Sequence, residues 1–185
     1  MYSIKNDVTE TLIIKKSKFI CYIYKIKNEN DIKEIINNIK NKYIDSTHIC
    51  YGYIIDNKIK YNDDKEPNKT AGYQILNILQ NNNLTNILGI VIRYYGGIKL
   101  GVGPLSKAYK DVTKLALEKT EKIEYKEYTY LTIETNYENT KKLEYLLKDI
   151  EIVSKEYNDN IIYKIKIDIK EKENIKKILN DFKII

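Results

Sequence analysis

Apolar side chains recur along the chain at two spacings, one typical of helices and one typical of strands. The isoleucines of residues 32–39, followed by Tyr43, fall at i, i+3, i+4, i+7 and i+11, which predicts one buried face of a helix. Residues 161–169 instead carry an apolar side chain at every second position, from Ile161 to Ile169, which predicts a strand with one buried face. Both patterns occur several times, so the sequence predicts a mixed α+β protein.

The first two thirds of the chain contain five predicted strands and three predicted helices. The strands are expected at 10–14, 19–24, 47–55, 58–62 and 84–93, and the helices at 32–43, 70–82 and 104–119. Pro104 is expected at the first helical position, where its missing N–H would have had no partner.

A second pattern begins at Glu124, in the order strand, helix, strand, strand, helix. These elements are expected at 125–135, 138–149, 151–157, 160–169 and 172–183. This order predicts a ferredoxin-like α+β module with its helices on one face of an antiparallel sheet. We place the boundary in the charged stretch near residue 122, which gives domains at 1–122 and 123–185.

The formal net charge of +6 is distributed unevenly. Residues 1–120 hold 19 basic and 12 acidic side chains, a balance of +7, whereas residues 121–185 hold 13 and 14, a balance of −1. A basic domain favours polyanions such as RNA. The abundance of Ile, Lys, Asn and Tyr is also what AT-rich coding produces, so a solvated lysine-rich face is the alternative interpretation.

Cellular location is indicated by what the sequence lacks. Two cysteines are too few for a disulfide framework, and no Cys/His spacing predicts a zinc site. The first residues lack the apolar run of a signal peptide, and no run of about 18 apolar residues predicts a membrane span. We expect a cytoplasmic protein without a membrane partner; the sequence does not indicate its oligomeric state.

Arg93 is the only arginine in a chain with 32 basic residues, and a glycine-rich segment follows it. Arginine offers a planar fork of donors that lysine lacks, and glycines before a helix leave backbone N–H groups free for an anion. The spacing is neither a P-loop nor a dinucleotide fingerprint. We therefore predict a phosphate- or nucleic-acid-binding set comprising Arg93, Tyr94, Tyr95, Gly96, Gly97, Lys99, Gly101, Gly103 and Lys107. The alternative is that the glycines only build a turn while Arg93 pairs internally with a carboxylate.

Asp63, Asp64 and Glu66 form an acidic loop ahead of the second predicted helix. Such carboxylates can hold Mg²⁺ through oxygen ligands, can pair with Arg93 and Lys99, or can form a solvated turn. They are weak metal candidates, and we expect no cofactor.

His48 is the only histidine and shares a strand face with Cys50. Neighbours at i and i+2 on one strand face lie roughly 6.5–7 Å apart, which is too far for a nucleophilic dyad. His48 is a weak candidate for a lone acid or base, and a packed histidine is the alternative.

Several motifs in register resemble the IMPACT family in its bacterial YigZ-like form. They are Lys16-Ser17-Lys18-Phe19, His48-x-Cys50, Asp63-Asp64-Lys65-Glu66-Pro67 with Thr70-Ala71-Gly72, and Arg93 to Pro104 with Leu105 and Ala108-Tyr109. The chain departs from the family pattern at Lys65 and Lys69, where the family has glycines, and at Pro104, which replaces a glycine.

The resemblance implies an N-terminal two-layer α/β domain like a ribosomal-protein domain and domain IV of elongation factor G, with a second domain like domain V of that factor. Eukaryotic members are linked to translational control. We therefore expect a non-catalytic regulator linked to translation that binds RNA or a ribosomal complex through the glycine-rich segment. The alternatives are a Mg-dependent phosphate-handling enzyme and a small-ligand sensor with its pocket between the acidic and glycine-rich motifs.

Overall fold

The computed structural model describes residues 1–55 and 58–185, which divide into two compact units, Met1–Tyr125 and Lys126–Ile185. Helices and sheets occur in both units, so the mixed α+β class is confirmed. The observed division follows Tyr125, whereas the sequence placed the boundary after residue 122.

The strands of the first unit are β1 (Tyr2–Ile4), β2 (Val8–Ile14), β3 (Ser17–Lys25), β4 (His48–Ile55), β5 (Lys58–Asn62), β6 (Ile87–Tyr94) and β7 (Lys122–Glu124). The main sheet of this unit is antiparallel, with the strand order β2-β3-β6-β4-β5. The helices of the unit are α1 (Glu29–Lys42), α2 (Gly72–Asn81) and α3 (Val102–Leu117). The predicted helices and long strands are therefore present, with ends that differ by a few residues.

Helices cover both faces of this sheet, so the predicted two-layer arrangement is wrong. Ile32 and Ile39 of α1 pack in one cluster with the sheet residues Leu88, Ile90 and Ile92. A second cluster lies on the opposite face and joins α2 and α3 to other side chains of β3, β4 and β6. The physical reason is that the side chains of β6 are apolar on both faces of the sheet. Helices must therefore cover both faces to remove these side chains from water.

The start of α3 differs from the prediction. Gly101 is the N-cap with a φ of 83°, a left-handed conformation that glycine adopts readily. Pro104 is consequently the third helical residue and not the first. It still lies in the first turn, where its missing N–H removes no intrahelical hydrogen bond.

Two short strands that the sequence did not predict join the ends of the first unit. β1 and β7 pair antiparallel, with Ser3 opposite Ile123. The N–H of Tyr125 also donates to the carbonyl of Met1 at 3.1 Å. The beginning and the end of this unit therefore lie side by side.

The second unit follows the β-α-β-β-α-β order of the ferredoxin-like motif. Its elements are β8 (Tyr128–Thr135), α4 (Thr140–Leu146), β9 (Glu151–Tyr157), β10 (Ile161–Asp168), α5 (Lys172–Ile178) and β11 (Lys183–Ile184). The sheet order is β11-β8-β10-β9, and the apolar side of β10 is buried as its alternation predicted.

The prediction of a helix over 172–183 is wrong at its C-terminal end. The helix ends at Ile178, and Lys183 and Ile184 pair with β8 opposite Glu134 and Ile133. The helical spacing of the preceding apolar residues continues through Phe182, which packs against the same core from outside the helix. Periodicity alone therefore overstates the helix length.

Candidate functional site

Arg93 is positioned by the central strand of the first sheet. It lies near the end of β6, opposite Phe19 of β3 and His48 of β4. Alternation places it on the same side as Val91, the side covered by α2 and α3. The residue is 6% exposed, so its positive charge is buried among the helices.

Glu66 neutralises this buried charge. Arg93 Nη1 donates to Glu66 Oε1 at 2.6 Å, and Glu66 itself is 8% exposed. The guanidinium also stacks against two aromatic rings, at 5.4 Å from the centre of Phe19 and 5.6 Å from that of Tyr95. Arg93 is therefore held internally, as the alternative interpretation of this arginine stated, and it does not offer a two-pronged contact to an external phosphate.

Tyr109 is a member of this cluster that sequence reasoning did not single out for the site. Its hydroxyl donates to Glu66 Oε1 at 2.8 Å and lies 3.5 Å from Cys50 Sγ. Burial, with the neighbouring thiol and carboxylate, raises the pKa of Tyr109 well above its usual value. The available signal was a tyrosine at i+4 from Leu105 on the apolar face of α3, where a buried hydroxyl requires a partner.

The side chains of Cys50 and His48 form hydrogen bonds with backbone carbonyls of the acidic loop. Cys50 Sγ donates to the carbonyl of Asp63 at 3.1 Å, and burial, opposed by the Tyr109 hydrogen bond, raises the pKa of the Cys50 thiol. His48 Nδ1 lies 2.7 Å from the carbonyl of Asp64, so this nitrogen carries a proton and donates. His48 Nε2 lies 3.9 Å from Glu66 Oε2. The thiol is protonated and directed to a carbonyl, in agreement with the absence of a Cys-His dyad.

The carboxylates of the acidic loop are occupied by backbone groups. Asp63 accepts from the N–H groups of Lys69, Ala71 and Tyr73 at 2.8–3.3 Å. Asp64 accepts from the N–H of Ile49 at 2.7 Å. Among residues 1–55 and 58–185, no group of three or more His, Cys, Asp or Glu side chains is placed to hold a metal ion. The carboxylates of Asp63 and Asp64 therefore stabilise the backbone of the loop, whereas the carboxylate of Glu66 pairs with Arg93.

Lysine occupies several backbone positions that favour glycine. Lys65 and Lys69, which stand where the resembling family has glycines, have φ values of 67° and 60°. Lys15 and Lys16, in the turn between β2 and β3, have φ values of 46° and 67°. A left-handed conformation costs a non-glycine residue roughly 1–2 kcal/mol. The family glycines at 65 and 69 therefore match a requirement of the loop backbone.

The segment from Tyr95 to Gly103, here called the glycine loop, packs against the β2–β3 turn. The N–H groups of Tyr95 and Gly96 donate to the hydroxyls of Thr47 and Ser17. A Cβ on Gly96 would lie 2.1 Å from the carbonyl carbon of Lys16. Glycine is therefore required at 96 because two backbones meet there.

A cleft of about 370 Å³ separates the acidic loop from the glycine loop. Of the predicted binding residues, it brings together Arg93, Tyr95, Lys99 and Gly101. Its remaining lining residues are Glu66, Pro67, Leu100, Val102 and Leu105. The acidic and glycine-rich motifs thus face each other.

The other predicted binding residues are not among those that line the cleft. The hydroxyl of Tyr94 donates to Asp45 at 2.9 Å, and Tyr94 packs with the α1 cluster on the opposite sheet face. Lys107 is exposed on α3 and is not part of the cleft lining. Gly97 and Gly103 have open space where a Cβ would be. Tyr94 therefore cannot stack beside Tyr95 on one ligand.

Within the described part of the chain, no helix has the length and apolar character required to cross a membrane.

Comparisons with known proteins agree with the motifs. Residues 15–117 match the model of the Impact N-terminal domain. The chain is 32% identical to the IMPACT family member YvyE of Bacillus subtilis, over 92% of this chain and 81% of that protein. It is 28% identical to YigZ of Escherichia coli, over 85% and 81%. A crystal structure of a hypothetical protein superposes with a TM-score of 0.72 at 25% identity, covering 100% of this chain and 95% of that one.

Proposed function

Because the chain belongs to the IMPACT family, we propose that it is a non-catalytic cytoplasmic regulator linked to translation, and that its first unit binds RNA or a ribosomal complex. The likeness to domains IV and V of elongation factor G is part of this proposal. The contact surface is the rim of the cleft, formed by the β2–β3 turn, the acidic loop and the glycine loop.

The observation that carries the proposal is that lysines near this rim have strained backbone conformations. Lys15, Lys16, Lys65 and Lys69 all have positive φ; the first two lie in the turn that meets Gly96 of the glycine loop, and the other two flank Glu66 and Pro67, which line the cleft. Asparagine and glycine tolerate this conformation better than lysine does. Lysine at these strained positions therefore favours a requirement for positive charge over compositional bias alone.

The rim lysines are also electrostatically available. Lys15, Lys16, Lys65 and Lys99 form no ion pair with any described residue. In the second unit, by contrast, several lysines are paired with carboxylates, namely Lys142, Lys155, Lys166, Lys176 and Lys183. Phosphates are attracted to unpaired cations, and each one bound releases counterions. This contrast supports the first unit as the polyanion-binding part.

Tyr95 provides the aromatic component of this surface. It is 44% exposed and lies over the buried guanidinium of Arg93, which holds the ring in place. Base stacking on such a ring stabilises single-stranded RNA binding without sequence preference. In this proposal Arg93 is a positioning residue, and Lys15, Lys16, Lys65 and Lys99 contact phosphates.

The test uses the full chain and a fluorescent single-stranded RNA, with anisotropy measured at two salt concentrations. In the test variant, Lys15→Asn and Lys16→Gly are combined, because Asn-Gly is the preferred pair for a two-residue turn with two positive φ values. We expect this variant to be more stable than the natural protein yet to bind RNA more weakly. The slope of log K against log salt should fall by up to about 1.4, since each lost phosphate contact contributes about 0.7.

The matched control combines Lys25→Ala and Lys27→Ala. Lys25 is the last residue of β3 and Lys27 follows it; both are exposed and lie at the far end of this strand, which is roughly 26 Å long by strand rise. We expect the control to retain the natural affinity and slope within experimental error. Binding that does not depend on salt, or an equal loss in both double variants, would contradict the proposal.

A further inference from the structure

The cleft between the acidic loop and the glycine loop is lined mostly by apolar residues, and its charged lining residues carry a net positive charge. Pro67, Tyr95, Leu100, Val102 and Leu105 supply the walls. The charged lining residues are Glu66, Arg93 and Lys99, whose formal charges leave a balance of +1. The volume of about 370 Å³ equals that of roughly twelve liquid water molecules. The cleft is therefore large enough to hold a small organic molecule with one ring or a short chain.

The start of α3, a helix of 16 residues, also lines this cleft. Its first turn contains no acidic residue, and its N-cap, Gly101, has no side chain to accept from the helix. The N–H groups of Val102 and Gly103 donate to no acceptor among the described residues. Free N–H groups and the helix dipole favour an anion at this point.

Arg93 provides a second and independent indication of an anion. It lines the same cleft, is 94% buried, and donates to Glu66 through Nη1. Its Nε is buried and has no acceptor in the described part of the chain. Buried donors without acceptors are rare in folded proteins and point to a missing partner. Lys99, which is exposed and forms no ion pair with a described residue, lines the same cleft.

We propose that this cleft binds a small organic anion, with its carboxylate or phosphate monoester at the start of α3 and its apolar body against Tyr95, Leu100 and Leu105. The anion accepts from the N–H groups of Val102 and Gly103, and Lys99 and Arg93 add attraction. The site shares Tyr95 and Lys99 with the proposed RNA surface, but Lys15 and Lys16, which the RNA test replaces, do not line the cleft, so the two proposals can fail separately.

The first experiment is a titration of the full chain, labelled with ¹⁵N, with phenylacetate, phenyl phosphate, inorganic phosphate and benzyl alcohol. We expect saturable amide shifts at Gly101, Val102 and Gly103 with the two aromatic anions, at dissociation constants in the roughly millimolar range for ligands of this size. Whether phenylacetate or phenyl phosphate binds more tightly shows which of the two anionic groups the site prefers. Equal saturation by benzyl alcohol, or no saturation by either aromatic anion, would overturn the proposal.

The second experiment compares Val102→Glu with Val102→Gln, which differ only in charge. Val102 is 63% exposed, so neither change disturbs the core. A carboxylate in the first turn interacts favourably with the helix dipole, and it should therefore maintain or raise the melting temperature. It also repels the ligand anion, and we expect affinity for the aromatic anions to fall about tenfold or more. Val102→Gln changes the same cleft wall without adding charge, so it should lose at least about fivefold less affinity than Val102→Glu; an equal loss in both variants would refute anion recognition at this helix.

Discussion

Removing the charge of Glu66 tests whether the positive charge of Arg93 is neutralised within the protein. Glu66→Gln retains a carbonyl oxygen that can accept from Arg93 and Tyr109, but the negative charge is lost. Arg93 is then a buried cation, 6% exposed, without a counter-charge. Removing one partner of a buried pair costs about 3–5 kcal/mol. Because the hydrogen bonds persist, we expect about 3 kcal/mol, equivalent to a melting temperature lower by roughly 10 °C.

A double-mutant cycle separates the charge pair from general disruption. Arg93→Met alone leaves Glu66 buried without its cation and should cost about as much as Glu66→Gln. The double variant contains no buried charge at this site, so it should be more stable than the sum of the single effects predicts, by at least about 2 kcal/mol. Arg93→Lys preserves the charge but loses the planar contacts with Phe19 and Tyr95, and should cost about 1–2 kcal/mol.

The assay is urea unfolding followed by far-UV circular dichroism. The two units can unfold separately, so hydrogen exchange of the β6 amides assigns the transition that belongs to the first unit. Replacement of the exposed Lys60 by alanine is the control, with an expected change within about 0.5 kcal/mol. A Glu66→Gln protein as stable as the control, or additive effects in the cycle, would refute the buried-pair reasoning.

Three further predictions concern stability. Gly96→Ala should lower the free energy of unfolding by about 1–3 kcal/mol, because the added Cβ would lie 2.1 Å from backbone atoms. Gly103→Ala, whose Cβ would have nothing within 4 Å, should raise it by up to about 1 kcal/mol. Urea unfolding measures both changes, and the reverse order would contradict this prediction. Lys65→Gly should stabilise by about 1 kcal/mol and Lys69→Gly by less, since both relieve a positive φ; a loss in thermal melts would show that the side chains are needed for folding. Burial raises the pKa of Cys21 to about 12 from 9.0, so stability should fall as pH rises through that interval, by up to about 1.4 kcal/mol per pH unit. Cys21→Ala should lack this contribution, and an unchanged pH slope in the variant would refute it.

The sequence predicted the long elements because their apolar spacing is strong and local. The alternation in β10 corresponds to a strand with one buried side, and the helical face of Ile32 and Ile39 packs on the sheet. The short strands β1, β7 and β11 were not predicted. Each contains two or three residues and exists through pairing with a segment far away in the chain, which no local pattern records.

The candidate site was predictable in its location but not in its pairings. The single arginine and the glycines identified one wall of the cleft, and the acidic loop identified the other. Nothing in the spacing distinguishes Glu66 from Asp63 and Asp64 as the partner of Arg93. That choice depends on the left-handed turn at Asp64 and Lys65, which directs the two aspartates toward backbone N–H groups. The role of Tyr109 follows from the same loop path.

The pairing of β1 with β7 brings the two chain ends of the first unit together. A polypeptide that enters at Tyr2 leaves at Tyr125 beside its own starting point. Domains whose ends meet tolerate insertion into other proteins and circular permutation. The first unit is therefore suited to insertion into a surface loop of a host protein. The two ends of the host loop need only be as close together as the two ends of this unit.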